Sequence, residues 1–173
     1  MTDKHEGQSL NDGKEQDGSA TGLAERRAQV ARHLGELIFA VSRLERYRAM
    51  SVADVDALLV QPLMRRRIVF HRSSKEAAGP EGIAIWASVS DEVSARLGAA
   101  ANSGTFPLPL QPEEWSSGDN VWLIDVIAPT KAFASATFRA FGVLMGERTF
   151  RIHPIILQNI DPASIERTQA TPH

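Results

Sequence analysis

A strand that is apolar except for one carboxylate sets the terms for this fold. From Glu113 to Pro129 the chain reads Glu-Glu-Trp-Ser-Ser-Gly-Asp-Asn-Val-Trp-Leu-Ile-Asp-Val-Ile-Ala-Pro. Ser116–Asp119 is a turn signal. The run it launches, Val121–Ile127, has the unbroken apolar character of a central strand. Asp125 stands inside that run, between Ile124 and Val126. An unpaired carboxylate in apolar surroundings is costly and its pKa rises, so a buried strand holds such a group for a reason. We expect Asp125 to face a cleft rather than the core.

The remaining pattern alternates helices with strands. Val30, Leu34, Leu37, Ile38, Val41 and Leu44 recur at three- and four-residue steps and predict a helix over Leu23–Tyr47. Ser51 and Asp54 are spaced as a capping box for a second helix, striped by Val52, Val55, Leu58 and Leu59 and ending before Pro62. Arg67–Arg72 and Gly82–Val89 read as strands. Ser90 caps a helix that opens on Asp91 and Glu92, acids suited to its positive end. Asn102–Gln111 is a loop, Thr130–Met145 a helix, and Thr149–Ile156 closes the sheet. The fold class is therefore α/β (α+β), a mixed sheet flanked by helices. We assign residues 1–22 to a disordered tail, because Asp, Glu, Lys, Gln, Ser and Gly dominate there and cannot offset the entropy of ordering. Residues 23–160 form the folded domain and 161–173 a flexible tail.

Composition removes several functions. Zero cysteines exclude a disulfide scaffold, a thiolate nucleophile and Cys-based zinc sites. A net charge of -2 supplies no global field for nucleic acid, and no Gly-rich phosphate loop accompanies it. No stretch approaches the apolar length of a membrane span, and no signal peptide opens the chain, so a cytoplasmic protein is expected. No histidine pair has metal-ligand spacing, and no metal is expected.

The Trp115-to-Pro129 run, read with Trp86-Ala87 upstream and Arg151-x-x-Pro154 downstream, resembles the toxin-activating lysine acyltransferases, which modify RTX protoxins in Gram-negative bacteria. Leu34-Gly35, Ala53-Asp54 and Pro62 extend the resemblance. It implies a GNAT-like acyltransferase sandwich and acyl transfer from an acyl carrier protein to internal lysines of an RTX-type protoxin. Acyl-acyl carrier protein is then a co-substrate, with no bound cofactor, and a homodimer is implied.

Within the resemblance, the family's aspartate falls on Asp125 and its histidine on Tyr47, where Leu44-Glu45-Arg46-Tyr47 replaces Ser-Pro-x-His. Tyrosine, with an ordinary pKa near about 10, is a poor base at neutral pH but a competent hydrogen-bond donor. Tyr47 is equally consistent with an amphipathic interface residue. Trp86 and Trp122 read either as core packing or as the lining of an acyl-chain groove. Arg65, Arg66 and Arg67, with Arg43, Arg46, Arg48 and Arg72, form either a basic face for an acidic carrier protein or a solvated surface. His153 can reach Asp125 if their strands are neighbours. Two functions remain: a working acyltransferase, or a catalytically silent homologue that binds toxin or carrier protein.

Overall fold

Two eight-residue strands, β2 (Gly82–Val89) and β3 (Asn120–Ile127), carry the centre of the sheet. The computed structural model describes residues 12–74, 76–77 and 79–169, with side chains from Gly22 onward except those of Arg167 and Gln169. Short strands flank the central pair: β1 (Ile68–His71) beside β2, and β4 (Phe150–Ile152) beside β3. The order is β1-β2-β3-β4, antiparallel at the first two junctions and parallel at the third. A mixed sheet flanked by helices is thus what the chain forms.

The chain divides into two units, Met1–His33 and Leu34–His173. In the first, the Gln29 side-chain amide meets the His33 ring at 2.7 Å. The sheet and all candidate site residues belong to the second. Helix α1 (Asp12–Val41) begins inside the segment expected as a tail; Met1–Asn11 lies outside the described residues. At its other end α1 stops before the expected Tyr47. Ser42 Oγ donates to the Phe39 carbonyl at 3.0 Å, a side-chain bond that competes with helix continuation. Leu44 then turns extended, and Glu45–Tyr47 forms a single 3-10 turn.

Ser51 and Asp54 do form the capping box. The helical stretch nevertheless runs through Pro62, as α2 (Val52–Val55), a π turn (Asp56–Val60) and α3 (Gln61–Met64). Proline lacks an N–H and its ring crowds the carbonyl four residues back. The wider turn, in which the Gln61 N–H reaches Asp56, makes room for it.

Helices α4 (Asp91–Asn102) and α5 (Lys131–Met145) are capped by the Ser90 and Thr130 hydroxyls. The expected strand to Ile156 is cut short at Ile152. Pro154 cannot donate to a ladder and instead opens α6 (Pro154–Leu157), capped by His153. The expected C-terminal tail holds α7 (Pro162–Gln169). It is tied down because Ser164 is buried and accepts from Arg139 at 2.8 Å, while Asp161 N–H bonds Ser135.

One sheet face packs Ile83, Ile85, Trp122, Ile124 and Ile127 against Leu37, Val41, Tyr47, Leu59 and Leu97. The other packs Trp86, Leu123 and Val126 against Phe138, Phe141 and Ile156. Burying each of the two phenylalanines contributes on the order of 2–3 kcal/mol.

Candidate functional site

The alternation of β3 breaks at one place, and that place is the site. Ile85 pairs with Asp125, but Trp86 pairs with Leu123, so Ile124 is an extra residue in β3. Strict alternation would put Asp125 on the face of Val121 and Leu123. The bulge instead sets it opposite Ile85, on the face that holds Tyr47, as bulges do when they re-aim a side chain. Asp125 is 4% exposed. It lies in the interior rather than facing the expected cleft, because a cation comes to it.

That cation is Arg46. Its Nη2 donates to Asp125 Oδ1 at 2.8 Å and to the Val126 carbonyl at 3.0 Å. The 3-10 turn delivers both Arg46 and Tyr47 to this spot. Arg46 Nη2 also lies 3.4 Å from the Tyr47 hydroxyl, and its guanidinium carbon sits 4.9 Å from the ring centroid. Asp125 Oδ1 further accepts the Val126 N–H at 2.7 Å. Asp125 Oδ2 and Arg46 Nε are buried and have no partner. Burial pushes the Asp125 carboxyl above its ordinary range, and the Arg46 charge opposes that rise. The pair is an incompletely satisfied ion pair beside a phenol.

His153 follows β4, and β4 is indeed the neighbour of β3. Both its ring nitrogens are committed elsewhere. Nδ1 accepts the Ile155 N–H at 3.1 Å, which assigns the proton to Nε2, bonded to the Thr105 carbonyl at 3.1 Å. His153 is therefore a helix cap. Phe106, from the loop after α4, stands edge-on to both Tyr47 and His153, with centroids 6.0 and 5.9 Å away. On the same sheet face, past the end of β3, an apolar groove of about 510 Å³ is lined by Phe39, Ala40, Leu44, Ile83, Ile127 and Pro129.

A sequence model of the RTX toxin acyltransferase family matches residues 26–158. The chain belongs to this family. No curated protein matches it. Tyr47, Asp125 and the groove all fall inside the matched span.

Other expectations are redistributed. Trp86 and Trp122 cannot line one groove, because they lie on opposite faces of the sheet. Trp122 Nε1 donates to Ser94 at 2.9 Å under α4. Arg65, Arg66 and Arg67 do not form one basic face, because they are the end of α3. The Arg66 N–H bonds the Leu63 carbonyl and the Arg67 N–H the Pro62 carbonyl, with Arg66 at φ 58°. This is a helix-ending motif with arginine where glycine is usual, and it sends Arg65 and Arg67 to different partners. Arg65 folds back on Gln61 at 2.7 Å, while Arg67 lies over the Trp86 ring at 4.1 Å. Arg72 pairs with Glu36 and Arg48 with Glu45.

Arg46 is the residue whose role the sequence did not single out. The available signal was the demand of Asp125 for a cation, but Arg46 is one of fifteen arginines in the chain.

Proposed function

We propose that the chain transfers a fatty acyl group from the thioester of an acyl carrier protein to the ε-amino group of an internal lysine of an RTX-type protoxin, converting it to its active form. The observation that carries this reading is the Asp125 carboxyl, held by Arg46 beside Tyr47 with Oδ2 buried and unpartnered. The incoming lysine, with an ordinary pKa near about 10.4, must lose a proton before it attacks. Asp125 Oδ2 receives the ammonium and orients it. Oδ2 takes one ammonium proton and later releases it to solvent. The amine forms the C–N bond, the C–S bond breaks, and a second proton from the nitrogen passes to the departing thiolate. Because Arg46 donates toward the Tyr47 oxygen, the Tyr47 proton is free to donate to the developing oxyanion.

The apolar groove beside Leu44 and Ile127 suits the acyl chain, a role first given to the tryptophans. Tyr47 and Asp125 are buried, so productive binding displaces the loop carrying Phe106. A homodimer and a cytoplasmic place of action belong to the same proposal. Light scattering tests the former.

Coexpression with an RTX-type protoxin, followed by intact-mass analysis, tests the reading. An acyl increment on lysine is expected with wild type and none with Asp125→Asn. No increment with wild type would end the enzyme reading. A second reading, a silent homologue that binds toxin or carrier protein, is favoured by one observation: Arg46 already occupies Asp125 Oδ1. Copurification with the protoxin without any mass change would select it.

A further inference from the structure

A short surface segment rests on Tyr47, and one side chain ties it down. Helix α4 ends in a glycine stop: the Gly104 N–H bonds the Ala101 carbonyl, the Thr105 N–H bonds the Ala100 carbonyl, and Gly104 takes φ 74°. Beyond this stop Thr105 and Pro107 are exposed, and only Phe106 turns inward, half-buried against the core between Tyr47 and His153. Leu108 and Leu110 are buried again, and Arg96 holds the Pro109 carbonyl at 3.3 Å. Residues 105–107 are thus a flap between two fixed ends.

Past the Thr105 N–H, one hydrogen bond among the described residues joins this flap to another element. It runs between the Thr105 carbonyl and His153 Nε2, at 3.1 Å. Thr105 Oγ1 stays local, meeting Ser103 Oγ at 2.9 Å. The His153 ring is set in advance for this bond. It is 2% exposed, and its Nδ1 accepts the Ile155 N–H, which leaves the proton on Nε2. The His153 N–H bonds the Leu123 carbonyl at 3.2 Å, so the donor is mounted on the strand that carries Asp125, two residues before it. One neutral hydrogen bond and two edge-on ring contacts hold the flap, a set of contacts that local opening breaks without unfolding the core.

We propose that residues 105–107 are a gate over Tyr47, and that His153 is the positioning residue that latches it shut through the Thr105 carbonyl. The acyl-transfer reading supplies only what passes the gate, the acyl thioester on its way to the Tyr47 hydroxyl and Asp125.

The chain has a single tyrosine, so nitration of the full chain by tetranitromethane, read by peptide mass, reports access to Tyr47 alone and needs no substrate. His153→Asn is the deciding variant. Asparagine is a favoured N-cap, so it keeps the Ile155 N–H and the thermal midpoint, while its shorter side chain does not reach Thr105. Nitration should run about fivefold faster than in wild type, as the loss of one neutral hydrogen bond predicts, and Phe106→Ala should also be faster. In acyl transfer, His153→Asn should lower KM for the acyl carrier protein about fivefold with kcat unchanged, because a larger open fraction binds without altering the chemistry. Equal nitration, or equal KM beside an active wild type, would overturn the proposal. A lowered midpoint with amide exchange raised throughout the chain would assign faster nitration to global unfolding and overturn it too. Faster nitration without acyl transfer by wild type would end the acyl-transfer reading and leave the gate standing. Transfer by wild type, with nitration and KM both unchanged in His153→Asn, would end the gate alone.

Discussion

Arg46 and Arg67 adopt nearly the same pose and have opposite electrostatic fates. Each lies across an aromatic ring, Arg46 over Tyr47 and Arg67 over Trp86. Arg46 ends on a buried carboxylate contributed from far along the chain. Arg67 ends on two serine hydroxyls and keeps its charge. The first arginine is consumed in positioning Asp125, while the second makes no ion pair among the described residues. An arginine's role thus depends on what neutralises it rather than on where it lies in a basic run.

Deleting the carboxylate is the strongest way to break this contrast. Asp125→Ala strands Arg46 beside apolar surroundings and should cost about 3 kcal/mol in urea unfolding. The double variant Arg46→Met/Asp125→Leu should recover most of that loss. A single variant as stable as wild type would mean that the pair holds nothing in place. Next in size, Tyr47→Phe keeps the ring against Phe106 and removes only the hydroxyl. Acyl transfer should fall about 100-fold, equivalent to about 2.7 kcal/mol, with little change in the thermal midpoint. An undiminished rate would remove Tyr47 from the chemistry.

The Arg67 side of the contrast is sharpened by Gly118→Ala, whose methyl group meets backbone atoms and should cost about 2 kcal/mol. Arg66→Gly should do the reverse. It relieves a left-handed φ that a side chain disfavours, and a gain of about 1 kcal/mol in unfolding free energy is expected. A loss would show that the Arg66 side chain makes a compensating contact.

The smallest effect is a pH slope. The folded Asp125 carboxyl titrates above its ordinary value of 3.8, so the native state binds this proton more tightly than the unfolded chain. Its contribution to stability is present below that value and is lost as pH rises through the folded pKa. Asp125→Asn should flatten that part of the stability–pH curve. An unaltered slope would assign it to other groups.

Much of this fold was legible where the signal is local. β2 spans the expected residues, β3 differs by one, and the hydroxyl caps expected at Ser51 and Ser90 are both formed. The errors arise where distant contacts or one backbone irregularity decide the outcome. Pro62 reads as a stop in the sequence because the π turn that admits it has no compositional mark. The Ile124 bulge is equally silent, and without it Asp125 and Tyr47 would lie on opposite sides of the sheet. That Asp125 needed an explanation was readable from its apolar neighbours; that Arg46 supplies it required contacts across the fold.

The bonds around Val126 have a consequence for the strand itself. Its N–H is taken by Asp125 Oδ1 and its carbonyl by Arg46 Nη2, while β4 pairs with β3 only as far as Leu123. The ion pair therefore acts at this buried residue as a neighbouring strand would, satisfying backbone groups that no ladder reaches. Losing either partner would orphan one of them, so Arg46 and Asp125 jointly complete the sheet where its strands run out.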